Sequence, residues 1–240
     1  MNRKIRAFIV GLLAVCWVQM GSAQTTSPAS TDSSRALVVI FPDFSSNEDD
    51  NWLDSLDLRI QALFPSTVVA PMVMPEMSGN DDIREGISKG WIATFTNMVV
   101  EAKRAHQPTR VVLVGKGTGA VLALLIAANT PGLVTELVAI ACPALPVSWD
   151  STYKGEEPAS YLSGLKQTGV VFVHGIDDTE VPVENPMQFY QQLRPMQERS
   201  RMIRLSDAGH NIELHPVVMK FIGDCIEGRL SAPPLRRTTP

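Results

Sequence analysis

The chain is 240 residues long, 45% hydrophobic and 19% charged, with 21 Lys and Arg against 25 Asp and Glu, for a formal net charge of −4. That balance suits a globular domain with its own core. It gives no reason to expect nucleic acid as a partner.

Residues 1–23 read as a cleaved export signal. Arg3, Lys4 and Arg6 make a basic start, and 7–18 is an apolar run too short for a comfortable membrane span. Gly21, Ser22 and Ala23 supply the small residues of a cleavage site. Removal leaves 240 − 23 = 217 residues, enough for one domain. The expected location is the periplasm or the medium, with membrane contact only through the signal before cleavage. Residues 24–34 and 230–240 are expected to be a flexible leader and a flexible tail around a domain at 35–229.

Within that domain, apolar strands alternate with amphipathic helices. ALVVIF at 36–41 reads as a buried strand. Trp52, Leu53, Leu56, Ile60 and Leu63 fall at helical spacing. A short strand is predicted at 67–70. A long helix follows through Ile83, Ile87, Trp91, Phe95, Met98 and Ala102, with Asn80, Asp81 and Asp82 as cap candidates. Residues 110–129, RVVLVGKGTGAVLALLIAAN, read as a buried strand at 111–114, a turn with Gly115, Gly117 and Gly119, and an apolar helix at 120–128. Further strands are predicted at 137–141, 170–173 and 201–205. Asn185 and Pro186 look like the cap and first residue of a helix running through Leu193, and the last helix is predicted at 215–226. Such alternation implies a mostly parallel six-stranded sheet covered by helices on both faces, an α/β fold.

Three motifs carry a family resemblance. Gly115-Lys116-Gly117-Thr118-Gly119 has the frame G-x-S-x-G of a strand-turn-helix corner, with Gly117 in the serine's place. VFVHGIDDTEVP at 171–182 is similar to the strand-end G-x-x-D-x-x-V-P, and SDAGHNI at 206–212 is similar to a histidine-bearing loop. In this order they resemble the α/β-hydrolase superfamily. The chain looks most similar to a group of functionally uncharacterised exported proteobacterial hydrolase-like proteins with glycine at the elbow. The resemblance implies Asp178 as the triad acid, His210 as the base and Gly117 at the nucleophile position. It further implies oxyanion-hole donors at Thr118 and in the loop after the first strand. There Pro42 has no N–H, so Asp43 or Phe44 would supply one.

Acyl transfer needs an attacking atom, a base and an orienting acid. Gly117 has no side chain, and loss of the nucleophile from a working triad costs on the order of 10⁶ in rate, about 8 kcal/mol. A carboxylate of Asp43 facing the site would in addition repel a developing oxyanion. Glycine tolerates the positive φ of the elbow, so strain would be relieved there. The expected function is therefore an exported α/β-hydrolase-fold protein used for binding or assembly rather than ester cleavage, with an unknown small molecule or an envelope protein as partner. The alternative is an active hydrolase of ester or related acyl substrates, using water or a non-standard nucleophile, Thr118 among them, with His210 and Asp178.

Other chemistries fit less well. Gly115-x-Gly117-x-x-Ala120 formally matches a dinucleotide fingerprint, but the next strand ends on Cys142 and Pro143 without a ribose-binding acid. Lys116 is not in a phosphate loop, because no Gly-Lys-Ser/Thr run surrounds it. His174, Asp177, Asp178, His210 and His215 lack the tight spacing of metal ligands. No cofactor is expected. Cys142 and Cys225 can be a disulfide or two buried thiols. Residues 143–169 occupy the place of a short lid, with Trp149 and Tyr161 as pocket cover.

Overall fold

The protein is described by a computed structural model over residues 36–44, 51–72 and 86–231, with the side chains of residues 51, 149 and 231 outside that set. The export signal, the leader, the tail from 232 onward and the cap candidates at 80–82 therefore lie outside the described residues.

Six strands make one sheet: β1 (Ala36–Phe41), β2 (Val68–Pro71), β3 (Arg110–Lys116), β4 (Glu136–Ile140), β5 (Gly169–Gly175) and β6 (Arg201–Leu205). Their order is β2-β1-β3-β4-β5-β6, and every pairing is parallel. Because side chains alternate across a strand, each strand feeds two cores. Leu37, Val39 and Phe41 enter one cluster, and Ala36, Val38 and Ile40 enter the other.

Helices α1 (Asn51–Leu63) and α6 (Pro216–Ile226) supply the second cluster. Helices α2 (Lys89–His106), α3 (Gly117–Asn129) and α5 (Glu184–Leu193) supply the first. Helix α3 is buried all round, from Gly117 to Ala128. A run with no polar face beyond Thr118 has nowhere to go but the interior. A short helix α4 (Pro146–Trp149) and a 3₁₀ segment, Pro158–Gln167, connect β4 to β5.

Two helix starts differ from the sequence reading. Helix α2 begins at Lys89, capped by Ser88, whose Oγ accepts the Trp91 N–H at 3.3 Å. Helix α5 begins at Glu184, one residue before Asn185. The Asn185 side chain instead accepts from Leu145 N–H and donates to Leu145 C=O, each at 2.9 Å. A short polar side chain that looks like a cap is here a clasp on the segment after β4. At the far end, Leu230 falls within the tail expected from composition. It is 6% exposed and packs in the second cluster.

The strand order reverses between β1 and β3. In open parallel sheets, ligands gather at the carboxyl ends of the strands flanking that reversal. Phe41 pairs with Gly115, so two residues further on Asp43 stands abreast of Gly117.

Candidate active site

The elbow turns directly from β3 into α3. Gly117 has φ +53°, a left-handed conformation that a side chain adopts only under strain. A Cβ there would lie 2.2 Å from Asp43 Oδ2 and 2.4 Å from its Cγ. The Asp43 carboxylate thus fills the volume in which a serine side chain would stand. Gly119 permits the approach from the other side, since a Cβ on it would lie 2.0 Å from the Pro42 carbonyl oxygen.

Asp43 is 8% exposed and firmly placed. Its Oδ1 accepts from Thr118 Oγ at 2.8 Å and from Thr118 N–H at 3.3 Å. Thr118 Oγ in turn accepts the Phe44 N–H at 3.0 Å. The Phe41 and Phe44 rings both pack on Phe95 of α2, with centroids 5.8 and 5.6 Å away. Asp43 is held between these two anchors. The sequence reading offered Thr118 and Asp43 as donors to an oxyanion. The structure shows that the Thr118 N–H faces the carboxylate of Asp43 itself.

His210 and Asp178 arrive on the loops after β6 and β5. These loops are tied together by Asp177 N–H to Ala208 C=O at 3.0 Å and Ile176 N–H to Leu205 C=O at 2.9 Å. His210 Nδ1 lies 3.0 Å from Asp178 Oδ2. Its Nε2 faces Asp43 Oδ2 at 3.8 Å and Glu180 Oε2 at 3.9 Å. Both distances suit ion pairing and exceed a hydrogen bond. The His210 side chain is 8% exposed, and Nε2 has no hydrogen-bond partner among the described residues.

The electrostatics follow from that crowding. Burial pulls the His210 pKa down. The bond to Asp178, the Asp43 carboxylate and the charge of Glu180 outweigh it and push the pKa up to about 9. The ring is therefore an imidazolium at neutral pH, already holding the proton that a general base must accept. Asp178 also suffers burial. Bonds from His174, His210 and the Val181 N–H prevail and hold it well below the usual carboxylate range.

Several residues have supporting roles here that the sequence does not assign to them. His174 is buried, with Nε2 2.7 Å from the Val181 carbonyl and 3.2 Å from Asp178 Oδ2, so it holds the acid in place. Lys116 continues the face of Val112 and Val114 under the elbow and is 1% exposed. Its Nζ lies 2.5 Å from Asn211 Oδ1, 3.3 Å from Glu213 Oε2 and 5.6 Å from the centroid of the Trp52 ring. It pins the residues flanking His210. A lysine inside an apolar strand end was the available signal, because a buried ammonium demands a partner. In the sequence Glu180 shows only as a third acid, after Asp177 and Asp178.

Of the other candidates, Cys142 lies within reach of the Asp43 charge, which adds to burial in raising its thiol. His215 caps α6, its Nδ1 accepting from Val217 N–H at 3.2 Å. The Tyr161 hydroxyl donates to Glu156, and its ring packs against the first core cluster. Trp149 ends α4, and its side chain lies outside the described set. Cys142 and Cys225 are unpaired and buried, and burial pushes both thiols up. Among the described residues no group of three or more His, Cys, Asp or Glu is arranged to hold a metal, and no helix is long and apolar enough to cross a membrane.

Known proteins share this architecture. Residues 139–220 match the prolyl oligopeptidase family. An esterase from Pyrococcus furiosus is 16% identical, with a TM-score of 0.63 over 82% of this chain and 84% of that one. Est1E from Butyrivibrio proteoclasticus, in a structure with ferulic acid bound, is 14% identical, with a TM-score of 0.60 over 87% of this chain and 93% of that one. The fold is that of the α/β-hydrolases.

Proposed function

We propose that this is an exported α/β-hydrolase-fold protein, periplasmic or secreted, that binds a small molecule or an envelope protein and does not cleave esters. One observation carries the reading. The Asp43 carboxylate occupies the nucleophile's space and takes up the Thr118 N–H, beside a histidine that already carries its proton. Attacking group, oxyanion donor and base are disabled together. The matching prolyl oligopeptidase family and the esterase neighbour make acyl chemistry the natural activity to test.

The test is turnover of short p-nitrophenyl esters by the mature protein and three variants. Native protein and Gly117→Ser alone are expected to stay at background, because a serine at 117 collides with Asp43. Asp43→Gly combined with Gly117→Ser is expected to gain turnover that His210→Ala removes. Native turnover that disappears in His210→Ala would overturn the reading. A second reading rests on the same carboxylate: Asp43, standing where an attacking group belongs, would be the non-standard nucleophile of an active hydrolase. It requires a covalent adduct on Asp43, visible by mass spectrometry of protein quenched during turnover.

A further inference from the structure

We propose that the elbow is a carboxylate-binding site in which Asp43 is the resident occupant, and that a free monocarboxylate binds by taking its place. This deepens the binding reading above and rests on it. Three donors converge beside Gly117: Thr118 N–H, Thr118 Oγ–H and His210 Nε2–H. Two of them hold Asp43 Oδ1, at 3.3 and 2.8 Å. The third, on a side chain more than nine-tenths buried, has no hydrogen bond among the described residues, and Asp43 Oδ2 stops 3.8 Å away.

The shortfall has a cause in the chain. The Asp43 carboxylate hangs on one methylene, and its backbone is fixed between Phe41 and Phe44, both packed on Phe95. In this arrangement it reaches Thr118 and stops 3.8 Å short of His210 Nε2. A free carboxylate has the same two oxygens without the tether. It can give one oxygen to Thr118 and the other to His210 Nε2, satisfying a buried charged donor that the native contact leaves short. Glu180 does not fill this role, since its side chain is 61% exposed and its Oε2 is 3.9 Å from Nε2. Asp43 is thus a tethered competitor that keeps the affinity for free carboxylates low until it is displaced.

The probe is acetate, titrated at about pH 5.5–6, where His210 keeps its Nε2–H even without the Asp43 carboxylate, into native protein, Asp43→Ala, and Asp43→Ala with Thr118→Val, following the His210 ring and Thr118 amide signals by NMR. Acetate is expected to bind Asp43→Ala about tenfold more tightly than native protein, or better, the worth of one charged hydrogen bond. The Thr118→Val combination is expected to lose that gain. A folded Asp43→Ala protein that shows no acetate-dependent shift at His210 would overturn the proposal. So would equal affinity in native protein and variant, which would mean that Asp43 does not occupy the site. If Asp43→Ala does not fold, Asp43→Ser serves in its place under the same criteria. The ester assay is independent: native turnover defeats the binding reading, whereas absent acetate binding defeats only the carboxylate assignment.

Discussion

The two ends of the sheet treat buried acids in opposite ways. At the amino ends of the strands, Glu136 is completely buried and faces two guanidinium groups, Arg110 at 3.4 Å and Arg199 at 3.1 Å. At the carboxyl ends, one imidazole faces Asp178, Asp43 and Glu180. The first end has cations to spare and behaves as structure. The second gathers three carboxylates about one imidazolium, more acid than that ring can neutralise. Surplus charge of this kind marks where a chain has been shaped for something other than folding.

The contrast is sharpest at the structural end. Replacing both Arg110 and Arg199 by Met strips Glu136 of these partners and is expected to cost about 3–5 kcal/mol in denaturant unfolding, the usual result of leaving a buried charge alone. A loss below about 1 kcal/mol would show that Glu136 does not need them. At the elbow, Gly117→Ser is expected to cost about 1–3 kcal/mol through the left-handed backbone alone, with the collision against Asp43 added. Asp43→Gly should recover the collision part, so a double-mutant cycle on the two positions should show coupling of about 1 kcal/mol or more. Additive effects would mean that the two groups do not share one volume.

The smallest expected effect is a shift in titration. Asp43→Asn removes one of the carboxylates that raise His210, so the ring pKa should fall from about 9 toward its ordinary value near 6.5, read by NMR. Stability follows with a definite sign. A histidine raised in the folded state binds more protons there than in the unfolded chain. Its contribution is complete below about 6.5 and is lost as pH rises through about 9. Asp178, lowered in the folded state, contributes above its ordinary value and loses that contribution as pH falls. Native protein should therefore lose stability on the alkaline side of neutrality, and Asp43→Asn should flatten that slope.

Much of this was legible in the sequence, and the division has a physical reason. Strands and helices follow local periodicity, and the elbow, acid and histidine motifs are each contiguous, so their order could be read directly. The plug could not. Asp43 and Thr118 are 75 positions apart, and only the register of β1 against β3 brings them together. The sequence showed an elbow missing its side chain and an acid just after the first strand. That the second fills the vacancy of the first is a fact of packing. The α2 cap also differs from the sequence reading. Three polar residues at 80–82 look like a start, whereas the helix begins at Lys89 with Ser88 as its cap.

The Asn185 clasp bears on how β4 is joined to α5. Its amide meets both polar groups of Leu145 as a neighbouring peptide unit would, extending a two-bond, sheet-like link across a gap that no strand spans. The segment leaving β4 is consequently riveted to the start of α5. The chemistry of the rivet matters more than its size. Asp at 185 would keep one bond and set a negative oxygen against a carbonyl, and Leu would forfeit both, so an amide of that length is what holds both bonds of the link.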